Sequence, residues 1–333
     1  MAITARRPIS GTRANGRSIT AGSPVATISC GATLQAAIDA AATGSTLDLT
    51  GCSYTANATI NKALTLKGAT LTYSGTGAGI TVTASNVTIQ SCTLTGPGAN
   101  TYHQNNSAIR VVGTKVARLT GIVIDGNTIT GWGACGVDAF YTTGQDIKGN
   151  TITTVAYCGV EVHSALNGYV RNNTITDVGI GDPYGAVSPS GQYNAYGITC
   201  TRDSGSDDRA TGVTVDTNTV DYVPNWHGLD THSGDAITWS NNIVTRTNRG
   251  LFITGDGFGG VSSNNVVNNN AFSNPTRYPG TSYGYNQRAI TIISGTTGTT
   301  GTGNTADAYP FGEGISGNTG SNTISAPTET NGY

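Results

Sequence analysis

IDGNTIT (124–130), IKGNTIT (147–153) and VRNNTIT (170–176) follow one another along the chain, and this recurrence decides the fold. The same element returns as VDTNTVD (215–221), WSNNIVT (239–245) and SSNNVVN (262–268). Aligning them gives a column of Asn127, Asn150, Asn173, Asn218, Asn242 and Asn265, spaced by 23, 23, 45, 24 and 23 residues. Extended backward, Cys92 and Ala69 fall in the same column, with steps of 35 and 23. The long step of 45 is assigned to an insertion at 179–194, and the excess in the step of 35 to the polar segment 96–106. A fixed period of this size marks a solenoid.

Half a coil away lies a second repeated segment: SAIRVV (107–112), CGVDAF (135–140), CGVEVH (158–163), YGITCT (196–201), HGLDTH (227–232), RGLFIT (249–254) and RAITII (288–293). Residues alternate within each, so Val137 and Ala139 face one way while Asp138 and Phe140 face the other. Strands this short and closely spaced leave no room for helical crossovers. The expected fold class is therefore all-β, a single parallel β-helix whose coils each bury their inward residues on the coil before. Stacked Asn amides along the column would hydrogen-bond from coil to coil, and Asn tolerates the left-handed bend between strands. Residues 32–42 place Leu34, Ala37, Ile38 and Ala41 on one helical face, which suits a cap over the open end of the solenoid. The expected organisation is a basic arm at 1–27, the β-helix at 28–320 and a tail at 321–333.

Composition agrees with this reading. Gly accounts for 47 of 333 residues, only 11% are charged, and the net charge is −2. A nucleic-acid binder driven by global charge is excluded, and no apolar run is long enough to span a bilayer. The first residues carry Arg6, Arg7, Arg13 and Arg17 without the apolar core of a secretory signal. Six Cys without paired spacing give no reason to expect a metal, and no cofactor is expected.

Coils about 4.8 Å apart make neighbours of residues in one column. The first outward column reads Arg110, Asp138, Glu161, Thr199, Asp230, Phe252 and Thr291. The second reads Val112, Phe140, His163, Thr201, His232, Thr254 and Ile293. Three carboxylates and three of the four His thus collect on one wall, densest in NWHGLDTHSGD (225–235). His227, Asp230 and His232, with Glu161 and Arg249, are the candidate catalytic residues. Asp138, His163, Tyr196, Trp226 and Asp235 are candidate substrate contacts, joined by Tyr184 and Tyr193, whose rings could stack on pyranose faces. A base at the C5 proton of a uronate with a cation at its carboxylate would suit elimination or epimerisation. Paired carboxyls would suit hydrolysis, with Asp138 and Glu161 near the retaining spacing and Glu161 and Asp230 near the inverting one. An outward polar wall is also what a solvated, non-catalytic surface looks like. Asp230→Ala is expected to abolish glycan processing and leave the fold intact, since an outward side chain contributes little packing.

The helical start and the GNTIT-type coils resemble the pectate-lyase-like right-handed parallel β-helix superfamily over about residues 28–320. The 227–235 stretch is similar to the Tyr-Gly-x-Asp-Pro-His-Asp signature of alginate C5-epimerases. Asp230 and His232 match its Asp and His, and His227 stands where that signature has Tyr. With its basic arm, the chain is most similar to bacteriophage tailspikes. The resemblance implies a virion protein, trimeric, that binds and degrades a host-surface polysaccharide, with other virion proteins as partners of the arm and neither nucleic acid nor membrane bound. It equally accommodates a structural, decoration or adhesive virion protein, or a uronan lyase or epimerase.

Overall fold

A computed structural model describes residues 30–99, 105–179, 186–187, 193–274, 288–293, 295–307, 309, 315–316 and 321–329. The arm at 1–27, Tyr184, the Tyr193 side chain and most of the 179–194 insertion lie outside the described residues.

Each full coil supplies three short strands. The first strands, such as Val123–Asp125, Asp146–Lys148 and Tyr169–Arg171, form an eleven-stranded parallel sheet from Thr46–Asp48 to Thr323–Ile324. The GNTIT strands, such as Thr151–Val155, and the wall strands, such as Cys158–His163, share a nineteen-stranded sheet. In two coils they fuse into the continuous strands Thr219–His232 and Ile243–Thr254. Wall register is as the repeats predict: Asp138 pairs with Glu161, Glu161 with Thr199, Thr199 with Asp230 and Asp230 with Phe252.

The core is a set of aliphatic columns. Ile129, Ile152 and Ile175 stack in one, and Val137, Val160, Ile198 and Leu229 in another, all 0% exposed. Burying side chains of this size contributes about 1.5–3 kcal/mol each before chain entropy is charged against it. The glycine of the wall segments has a steric reason. A Cβ at Gly197 would sit 2.4 Å from both the Gly228 carbonyl oxygen and Val220 Cγ1.

Asparagines make the ladder expected of them, with a corrected membership. Asn150 Oδ1 accepts from Asn127 N at 3.0 Å and from Asn127 Nδ2 at 2.9 Å. The same pair of bonds recurs through Asn173, Asn218 and Asn242. It then passes to Asn270 and Asn304. Asn265 is not in the column. Thr238–Ser240 pairs with Val266–Asn268, which shifts the equivalent of Asn242 to Asn270, and Asn265 instead caps Ile237 N in the neighbouring turn. The left-handed residue is not the ladder Asn but the one before it, as at Gly149 (φ 62°) and Asn172 (φ 54°).

Two coil insertions are also placed differently. The excess in the step of 35 is divided between 96–106 and a turn at 113–118, and the excess in the step of 45 includes a loop at 202–210. These two extra loops meet: Lys115 pairs with Asp208 at 2.9 Å, and Arg118 also pairs with Asp208. The capping helix spans Leu34–Ala40, capped by Thr33, whose Oγ1 accepts from Ala36 N. Leu34, Ala37 and Ile38 enter the core as expected. A disulfide between Cys30 and Cys52, not foreseen from spacing, ties the start of the described chain to the first coil. The other four Cys are buried thiols, among them Cys135 and Cys158, paired across adjacent strands. Among the described residues no helix is long and apolar enough to cross a membrane.

Candidate functional site

Parallel register gathers the outward side chains, but it does not leave them in solvent. Asp138 is 4% exposed, Glu161 6%, His163 5% and Asp230 0%. The expectation of a solvated wall is corrected: neighbouring columns and the 202–210 loop cover these groups.

Two clusters result. In the first, His227 and Asp230 lie three residues apart on one strand, with Nδ1 and Oδ2 2.6 Å apart. Arg249, one coil on, donates from Nη1 to His227 Nε2 at 2.9 Å. Those partners assign the tautomer, with the proton on Nδ1 donated to Asp230. Burial pushes the His227 pKa down to about 4, and Asp230 only partly offsets this, so the ring is neutral. Trp226 stacks on His227 at 4.7 Å and Phe252 at 4.2 Å, and Arg249 lies over both of those rings. With 0% exposure and both nitrogens engaged, His227 presents no atom to a ligand.

Asp230 accepts from Thr199 Oγ1 at 3.0 Å, and its Oδ2 also lies 3.3 Å from His232 Nε2. Burial alone would raise the Asp230 pKa, but His232 and His227 outweigh it and hold the carboxyl well below its usual range. His232 is moved the other way: burial opposes its charge, and the Asp230 carboxylate more than compensates, raising its pKa. Its side chain keeps 34% exposure, against 1% for Asp230.

The second cluster centres on His163. Its Nε2 lies 3.2 Å from Glu161 Oε1 and 3.6 Å from Asp138 Oδ1, and its Nδ1 lies 2.7 Å from Asp203 Oδ1. Phe140 stacks on the ring at 4.1 Å. Cys135 Sγ donates to Glu161 Oε2 at 3.3 Å, and Arg110 Nε stands 3.5 Å from Asp138 Oδ2. Burial is the main reason the Asp138 pKa rises to about 7.

Between the clusters opens a pocket of about 240 Å³. Glu161, Asp230 and His232 line it from the wall, Tyr157 and Tyr196 from the strand starts, and Arg202 and Asp203 from the 202–210 loop. Tyr196 presents its edge to both His227 and His232, and burial pushes its pKa well up, so its hydroxyl stays protonated. Arg202 is held by Asp256 at 2.5 Å.

Of the residues singled out in the sequence, Glu161, Tyr196, Asp230 and His232 meet at the pocket, while His227, Arg249 and Trp226 pack behind Asp230. Asp138 and His163 form the adjoining cluster. Asp235 stands apart, paired with Arg209 at 3.3 Å and accepting from Ser263 Oγ at 2.6 Å in the next turn. Tyr157, Arg202 and Asp203 were missed. For Arg202 and Asp203 the signal was the lengthened coil, credited wholly to the 179–194 insertion when part of it is the loop that carries these two residues; Tyr157 sits in a coil of regular length, one residue before its wall segment.

A family model described as the right handed beta helix region matches residues 50–204 and 107–306. No curated protein sequence matches the chain. Among solved structures, the chain is similar to the Dettilon tailspike protein at 14% identity and a TM-score of 0.53, covering 82% of this chain and 60% of that one. It is similar to an alginate lyase from Paenibacillus sp. str. FPU-7 at 14% identity and a TM-score of 0.51, covering 89% of this chain and 96% of that one. The enzymatically active domain of bacteriophage CBA120 tailspike protein 2 follows at 14% identity and a TM-score of 0.50, covering 80% of this chain and 44% of that one.

Proposed function

The chain belongs to the right-handed β-helix family, and on that premise we propose that it is a tailspike-like protein that binds a host-surface polysaccharide at the His232 pocket and cleaves it by β-elimination at a uronate. The observation that carries the reading is the Asp230–His232 pair at the pocket wall. A buried carboxylate orients a half-exposed imidazole there, which is how a proton-transfer group is built. Support from fold analogy comes from the tailspikes and the alginate lyase to which the chain is similar.

Elimination is favoured because it needs one base and one acid. With Asp230 against Nε2, His232 Nδ1 takes the proton from C5 of the uronate. The electron pair forms the double bond to C4, the C4–O bond breaks, and the Tyr196 hydroxyl returns a proton to the leaving oxygen. Hydrolysis needs two carboxyl groups free to face the glycosidic bond. Here Asp138 and Glu161 both turn to His163, and Asp230 is held by three side chains. His227 and Arg249 act on the reaction only through Asp230, as positioning residues.

The arm at 1–27 is the proposed attachment to the virion, the body at 28–320 the glycan-acting part, and a homotrimer the proposed assembly. The test is incubation with a panel of uronate-containing bacterial polysaccharides, reading the ultraviolet absorbance of unsaturated ends. Growth of that signal is expected. Cleavage without it overturns elimination, and retention of glycan without cleavage leaves a binding protein only.

A further inference from the structure

We propose that Asp138, Glu161 and His163 form a binding site for a divalent transition cation of the zinc class. The proposal is independent of whether the neighbouring pocket cleaves glycan. Register brings the three together: Asp138 and Glu161 are directly paired on adjacent strands, and His163 follows Glu161 by two residues on the same face. Stacking on Phe140 fixes the imidazole plane.

Distances are the main argument. Around a tetrahedral ion with bonds of about 2.0–2.2 Å, neighbouring ligand atoms stand roughly 3.3–3.6 Å apart. His163 Nε2 lies 3.2 Å from Glu161 Oε1 and 3.6 Å from Asp138 Oδ1, and all three ligand atoms fall within 4.8 Å of one another. The chain alone leaves one of them without a hydrogen bond: Asp138 Oδ1 has no such partner among the described residues, although Asp138 is only 4% exposed. A buried carboxyl oxygen in that condition is costly, and an ion bound at this position would satisfy it.

Surrounding groups fit the same ligand. His163 Nδ1 lies 2.7 Å from Asp203 Oδ1, within reach for that carboxylate to orient the imidazole of a metal ligand. Cys135 Sγ on Glu161 Oε2 and Arg110 near Asp138 Oδ2 fix the two carboxylates from their far sides. With His163 neutral, one divalent ion and Arg110 balance Asp138, Glu161 and Asp203. Imidazole ligation in so compact a set favours a zinc-class ion over calcium, which takes six to eight oxygens. The His227, Asp230 and His232 cluster is a poorer host, because His227 uses both nitrogens and its Nδ1 is 2.6 Å from Oδ2, too close for two ligands of one ion. Sequence spacing hid the site because its ligands come from different coils.

The full chain, stripped with a chelator, is titrated calorimetrically with Zn²⁺ alone and, separately, followed by the visible absorption of added Co²⁺. We expect one equivalent bound, a tetrahedral Co²⁺ band and a raised melting temperature. His163→Gln and Asp138→Asn should each weaken binding at least tenfold, and Asp203→Asn, which leaves every ligand in place, by about 10–100-fold. Melting curves check that each variant is folded, and Asp203→Asn carries the test if the ligand variants do not fold. Absence of binding, binding unchanged in the folded variants, or equally tight Ca²⁺ binding without a Co²⁺ band overturns the proposal.

Discussion

His227 Nδ1 and Asp230 Oδ2 are 2.6 Å apart in a place with no exposed surface, so the charge of Asp230 is held by the fold and not by water. Asp230 is a structural member as well as the group that orients His232.

Asp230→Ala is therefore expected to lose stability as well as any glycan activity. It strands the His227 Nδ1–H and the Thr199 hydroxyl in a dry site, at a cost of about 2–6 kcal/mol for the two groups. Urea unfolding of the two proteins measures it, and a midpoint unchanged from the parent would show that the contact contributes nothing.

Acid should weaken the fold through His227. Its pKa is near 4 in the fold, against about 6.5 for the unfolded chain, so only the unfolded state gains a proton as pH falls between these values. The stability that His227 contributes is thus complete above pH 6.5 and declines toward pH 4, by at most about 3 kcal/mol, while Asp138, whose pKa is raised to about 7 in the fold, acts in the opposite direction in both proteins. His232 adds little in that window, because its raised pKa leaves it charged in both states there. Comparing denaturation at pH 7 and pH 4.5 for the parent and His227→Gln reads the term directly: the variant should show the smaller drop.

Asn173→Ala tests the ladder. It removes the acceptor for Asn150 N and Nδ2, both buried, and should cost about 2–4 kcal/mol in the melting transition. An exposed control such as Thr151→Ala should cost under about 0.5 kcal/mol.

If His232 is the base, activity should rise with pH through its elevated pKa, since the imidazole must first lose its proton. The rate profile against pH checks the sign. A rate that falls across that range would make His232 an acid instead.

Much of this was legible in the chain. The 23-residue recurrence gave the coils, and alternation within the wall segments gave the register that sets Asp138, Glu161, Thr199 and Asp230 side by side. Burial was not legible, because period-two alternation says which face a side chain takes and not what covers that face. Asn265 was misplaced because Asn264, Asn265, Asn268, Asn269 and Asn270 offer several registers, and only the pairing of Val266–Asn268 with Thr238–Ser240 selects one. Asp203 escaped because a loop obeys no period, yet it supplies the carboxylate against His163.

The most direct measurement is mass analysis of a uronate-containing polysaccharide after incubation with the parent protein and with His232→Gln. The account predicts fragments one water lighter than hydrolysis products from the parent, and at least a hundredfold fewer from a variant that melts within a few degrees of it. Equal cleavage by the folded variant would contradict the central claim that His232 carries the proton.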